Sequence, residues 1–201
     1  MTIPLDPAQR KALDAKKRLW GAYFRKLNRK TIALPPPSPQ KKFIRAKGFS
    51  GGRFENVENI RLEWTEPDIF MFIPKQKKPF RFIRANPQLP PIEPRTFFTD
   101  GASVPRMFRW EKELDPFGLL PAALLHDWQF DRHHCGDLPE SDFWDVNDML
   151  MEAMIAMFVA KLAPRNMVVA WAIYFAVNSP VGWAYWTAHD KVCPIPPDRP
   201  E

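Results

Sequence analysis

The chain has 201 residues, 45% of them hydrophobic and 13% aromatic, with a formal net charge of +6. This composition excludes a disordered chain, and the length suffices to bury a core as one domain with appendages or two small domains. The charge is lopsided: residues 1–30 hold nine Lys or Arg against Asp6 and Asp14, so they carry +7 and the remainder −1.

Cys135 and Cys193 lie far apart and form no CxxC pair, which predicts unpaired thiols and a reduced, cytoplasmic setting. The N-terminal MTIPLDPAQRKALDAKK lacks an apolar stretch able to act as a signal-peptide core, which disfavours export by that route.

The first predicted element is a helix from Pro7 to Lys30. Leu13, Trp20, Phe24 and Leu27 share one side at helical spacing, with cations around them. Pro7 suits an early helical position, and ALPPPSPQ (33–40) ends the element as a stiff linker. Two readings stand. In one, residues 1–32 form a basic amphipathic arm on a linker at 33–42. Its Lys16, Lys17, Arg18, Arg25 and Lys26 would then bind an acidic partner, nucleic acid or a membrane surface, although no motif indicates nucleic acid. In the other, the helix docks on its own domain by its apolar side and its basic face is solvated.

Residues 41–99 change character. KFIR, IRLEW, IFMFI and FRFIR are rich in aromatic and β-branched residues, and GFSGG, TEPD and PKQKKP break them with turn signals. This predicts a small, mostly antiparallel sheet over about 43–99. From Pro116 the pattern is helical. Pro121 opens a helix carrying Leu124, Leu125 and Trp128, and Gly136 stops it. Asp137 with Glu140 reads as a capping box that starts a second helix, running to about Lys161. The fold class is therefore α+β, with a helical C-terminal half packed on the sheet and an N-terminal basic helix. Residues 43–190 form the domain and 191–201 a Pro-rich tail.

Asn166 to Ala188 carries no charged side chain, a length that would span a bilayer, with Trp183, Tyr185 and Trp186 near one end. NSPVG (178–182) interrupts it. What remains is an apolar helix of about 13 residues, which reads as a buried core element and disfavours a membrane span.

Candidate chemistry falls in three sets. His126 and Asp127 sit mid-helix behind apolar residues, where ionisable groups require partners. Asp142, Asp145, Asp148 and Glu152 repeat along the next helix at repelling spacings, and Asp148 lies too far along for the helix dipole to explain it. It calls for an arginine, a histidine or a metal. TDGASVPR (99–106) is a polar turn at a strand end, a usual place for functional side chains and for turns that only satisfy the backbone. Separately, His133, His134 and Cys135 offer zinc ligands with Asp131 or Asp137, without the paired spacing of zinc modules. Equally, they suit a helix C-terminus.

FFTDGASVPR, then LLHDW, then NDMLMEAM resembles domain-of-unknown-function family 1353, which is frequent in phage and prophage genomes. The likeness runs over roughly Arg61 to Tyr174. It singles out Asp100, Ser103, Pro105, Arg106, His126, Asp127 and Asp148. The chain departs from the family at Asn147, where alanine is usual, and at Trp144, where arginine is common. The resemblance implies an α+β domain in a phage-related setting and no established reaction.

Two classes of function follow. In a hydrolase, Asp100, His126 and Asp148 would gather around a divalent metal such as zinc and activate water. A variant uses Ser103 as nucleophile, His126 as base, and Asp148 or Asp127 behind it. Against both, His126 and Asp127 are adjacent, so one helix face cannot present them together. In a non-catalytic module, His126, Asp100, Arg106 and Asp148 would form a buried network locking the strand-to-helix turn. Such a protein would serve as a phage structural, assembly or host-interaction component in the virion or host cytoplasm. Its partners would be other phage proteins or an acidic surface met by the basic arm. A membrane-associated lysis or delivery factor is a further alternative.

Overall fold

The computed structural model describes residues 4–27, 35–36, 51–101 and 118–197, with backbone only for 22–27. In chain order it contains α1 (Pro7–Leu27), β1 (Arg53–Glu55), β2 (Leu62–Glu66), β3 (Ile69–Phe72), β4 (Arg81–Ile83), β5 (Phe97–Thr99), α2 (Leu120–His134), α3 (Phe143–Val159), α4 (Met167–Val177) and α5 (Pro180–Trp186). The fold is α+β, with the helices mainly in the C-terminal half. The strands build two small antiparallel sheets instead of the single one expected, ordered β1-β4 and β2-β3-β5. The KFIR run, most of the proline-rich linker and the end of the tail lie outside the described residues.

Side-chain alternation on the three-stranded sheet explains the layering. On one face Phe72 and Phe97 enter the main core with Phe80, Phe82 and the apolar sides of α2 and α3. On the other, Ile69, Met71 and Phe98 pack with Ala12 and Leu13 of α1. Helix α1 is therefore a layer of the fold, and the docked reading describes its placement. Its first turn is fixed by a reciprocal pair: Asp6 Oδ1 accepts from Gln9 N–H at 2.8 Å, and Gln9 Oε1 accepts from Asp6 N–H at 3.1 Å.

Helix α2 opens at Leu120 with Pro121 in its first turn. It closes at Gly136 (φ 87°), where the Asp137 amide reaches back to the Arg132 carbonyl at 2.9 Å. The expected Asp137/Glu140 capping box does not form. A 3-10 turn at Glu140–Asp142 comes first, and α3 begins only at Phe143, without a side-chain cap. The apolar stretch breaks as the NSPVG signal predicts. Ser179 caps α5, and α4 and α5 meet at a 56° bend. No single helix among the described residues is long and apolar enough to cross a membrane.

Three expectations need correction. Cys135 and Cys193 form a disulfide across 58 residues, because the chain folds back past the end of α2. The premise for a reduced setting is thereby removed. Helix α4 is also not a buried core element: Ala170, Ile173 and Tyr174 are buried, whereas Val168 and Phe175 are exposed. Finally, the acidic row on α3 finds its arginine in Arg84, from the end of β4. Arg84 binds Asp145 at 2.6 Å and Glu152 at 3.1 Å, but leaves Asp148 to another partner.

Gly51 and Gly52 let the start of β1 lie directly on α3. A Cβ on Gly52 would stand 2.2 Å from the Ile83 carbonyl oxygen and 3.0 Å from Glu152 Oε1. Gly52→Ala should therefore cost about 1–3 kcal/mol by overpacking, read as a lowered urea midpoint with an unchanged m-value.

Candidate functional site

The HD block lies on α2, and most of its polar groups face the interior. Asp127 and Asp131 are four residues apart and so share a side of the helix. Opposite them α1 delivers Lys16, only 2% exposed, whose ammonium bonds the carboxylate of the fully buried Asp131. Asp127 accepts a 2.6 Å hydrogen bond from the Thr99 hydroxyl at the end of β5, and Thr99 Oγ1 accepts from the Gly101 amide at 3.0 Å. The TDG turn and the HD block are thus joined through Thr99 and Asp127. Thr99 opens the third candidate set, but sequence reasoning does not single it out within that set. A short β-branched hydroxyl ending an apolar strand carries little signal of a polar role.

His126 turns elsewhere. Its Nε2 lies 2.9 Å from the Asn147 side-chain oxygen on α3, and Asn147 in turn donates to Asn178 Oδ1 at 3.1 Å. The partner of His126 is therefore Asn147, one of the two positions at which the resemblance leads one to expect another residue. Asp148 accepts instead from the Tyr174 hydroxyl on α4 at 2.6 Å. A tyrosine supplies what a histidine, arginine or metal was expected to supply. The proposed Asp100–His126–Asp148 grouping thus divides, with His126 and Asp148 each held by a separate partner. Asp100 adds negative potential at the buried Tyr185 hydroxyl. Ser103, Pro105 and Arg106 lie outside the described residues.

The second zinc option also dissolves. Cys135 is in the disulfide, Asp131 holds Lys16, and His133 Nδ1 donates to the Leu138 carbonyl at 2.8 Å. The His133 ring stacks on Trp186 at 3.8 Å. Among the described residues no group of three His, Cys, Asp or Glu side chains is placed to hold a metal. An open cavity of about 560 Å³ lies at the end of α2, lined by His134, His189, Asp190 and the disulfide rather than by His126 or Asp127.

The basic binding set is corrected in part. Lys16 cannot meet a partner, because it is consumed in the core. Lys17 pairs with Glu66, and Arg18 binds Asp190 at 2.7 Å, so both are engaged within the chain while remaining partly exposed. The side chains of Arg25 and Lys26 lie outside the described residues.

Electrostatics follows from burial. One ammonium faces two carboxylates in a buried site, so both acids cannot be neutralised at once. Burial pushes the Asp131 carboxyl up to about 6 despite the attraction of Lys16, and its Oδ2 has no hydrogen-bond partner among the described residues. Burial also raises Asp127, against the pull of Lys16 and the Thr99 hydrogen bond. Burial opposes the charge on Lys16, but Asp131, Tyr185 and Asp127 together hold its pKa above the ordinary lysine value. Burial drops His126 to about 4 against the opposing Asn147 hydrogen bond, so this imidazole is neutral at pH 7.

Two outcomes follow. Lys16→Met should cost about 3–5 kcal/mol, because it strands a buried carboxylate. Lys16→Met/Asp131→Leu should recover most of that loss in a denaturation double-mutant cycle. For His126, the unfolded imidazole takes up a proton near 6.5 and the folded one only near 4. Its contribution is therefore full above pH 6.5 and lost as pH falls toward 4, on the order of 3 kcal/mol. Measured against pH, the stability gap between the native chain and His126→Gln should narrow or reverse over that window.

A model of the family described as "Protein of unknown function (DUF1353)" matches residues 77–177, half of the chain. Neither a curated protein nor a solved structure matches at a significant level. The matched span runs from the approach to β4 through α4, and so contains the Thr99–Asp127 and His126–Asn147 contacts and Asp131, but not Lys16. The chain belongs to the DUF1353 family.

Proposed function

We propose that this chain is a non-catalytic structural, assembly or host-interaction module of a phage or prophage, whose role depends on a conformation locked by buried polar groups. The observation that carries the reading is the fate of the HD block. His126 is spent on Asn147, Asp127 on Thr99 and Asp131 on Lys16, all directed at the protein's own elements. A general base needs a neighbouring space for substrate and a proton acceptor near its working pH. His126, held near 4 by burial, is a weak base, and the open cavity at the end of α2 is lined by other residues. The phage setting rests on the sequence resemblance to the family alone.

The test pairs composition with stability. Native protein, His126→Gln and Asp148→Asn are purified without added metal, assayed for bound zinc, manganese and magnesium, and melted. No stoichiometric metal and lower melting temperatures in both variants are expected. Stoichiometric metal lost in both variants, with the fold intact, would overturn the reading in favour of a metal hydrolase. Mass spectrometry of purified particles from an induced lysogen carrying the gene should detect the chain if it is a virion component.

A further inference from the structure

Helices α3 and α4 form a hairpin joined at residues 160–166, and its tip is apolar and uncovered. Val159 ends α3 at 76% exposure, and Val168 in the first turn of α4 is 80% exposed. Phe175, seven residues on and so on the same side of α4, is 66% exposed, with Leu162 also exposed in the connection. The opposite side of α4 carries the buried Ala170, Ile173 and Tyr174. Trp171, half-buried, stacks on Phe175 at 5.6 Å and borders the outer face. At the tip, Asn166 Oδ1 caps the start of α4 by accepting from the Val169 amide at 3.1 Å.

Charge decides what fits this face. Lys161 and Arg165 are exposed within the connection, flanking the apolar side chains. No Asp or Glu occurs from Ala153 to His189. A second copy meeting the same patch across a two-fold axis would bring these cations together with no acid from this region to pair them. Exposed aliphatic and aromatic side chains with a cationic rim match the acyl boundary and headgroups of an anionic bilayer.

We infer that the tip of the α3–α4 hairpin and the outer face of α4 dock on anionic lipid bilayers, with Val168 and Phe175 entering the acyl boundary and Lys161 and Arg165 meeting the headgroups. This is attachment in the interface plane without a span, and it stands independently of the reading of the HD block.

The experiment uses the full chain in co-sedimentation with phosphatidylcholine vesicles and with vesicles containing about one third phosphatidylserine. Binding is expected to the anionic vesicles only, with a blue shift of tryptophan fluorescence. Lys161→Glu/Arg165→Glu should weaken it roughly thirtyfold or more, from about 1 kcal/mol per cation near the surface. Val168→Ser/Phe175→Ser should weaken it roughly tenfold or more, through lost apolar burial. Circular dichroism of both variants should match the native chain, since all four positions are exposed. Three results would overturn the inference. One is failure to bind either vesicle. Another is anionic binding indifferent to the serine pair, which would assign the attraction to basic residues elsewhere. The third is a dimer in light scattering that Phe175→Ser dissociates, without vesicle binding, which would make a second copy the occupant.

Discussion

The placement of one ammonium group constrains much of this fold. Lys16 leaves an otherwise basic helix and enters the core, where it meets Asp131 directly and Asp127 within Coulombic reach. Burying a lysine is costly, and only a close carboxylate with good geometry offsets it. The alternative positions of α1 are thereby penalised. A rotation or slide of the helix along the sheet would leave one cation and two acids dry and unpaired. Apolar contacts from Ala12 and Leu13 hold α1 on the sheet, but such contacts tolerate sliding. The ion pair sets the register.

The same site explains how chain segments far apart in sequence are held to one another. Thr99 joins the end of β5 to Asp127, and His126 joins α2 to α3 through Asn147. Asn147 then reaches Asn178 at the α4–α5 break. On the outside, Arg18 of α1 holds Asp190, three residues before the cysteine that closes onto the end of α2. Most of these links are polar and several are buried, so each is directional. A core made only of the abundant Phe, Met and Trp side chains would be stable in more than one packing, because such surfaces are interchangeable in shape. Directional contacts reduce that degeneracy at a cost in desolvation.

Much of the architecture was legible in the sequence because it rests on local chemistry. Pro121 and Gly136 bound α2 through a fixed φ and a left-handed stop, and NSPVG breaks α4 from α5 for equally local reasons. The demand of His126 and Asp127 for partners was legible too, since ionisable groups inside an apolar helical run must be satisfied. The identity of those partners was not. Asn147 and Thr99 are neutral residues whose roles depend on neighbours 21 and 28 positions away. Lys16 reads as one cation among nine, but its neighbours three and four residues away, Ala12, Leu13, Leu19 and Trp20, are all apolar, which is a signal that it faces inward. The disulfide was hidden by its 58-residue separation. Helix α4 was misjudged because it is apolar on every side. Periodicity then carries no information on which face is covered, and only the packing reveals that one side is bare.

The boundary of the family match bears on what the domain's essential unit is. Residues 77–177 contain both acids of the buried site and exclude the cation that answers them. Two buried carboxylates four residues apart on one helix repel, and with no counter-charge at least one must stay protonated at neutral pH. In this chain α1 supplies that counter-charge as the Lys16 ammonium. The basic N-terminal helix and the acidic HD block are then two halves of one structural unit, joined by the Lys16–Asp131 pair.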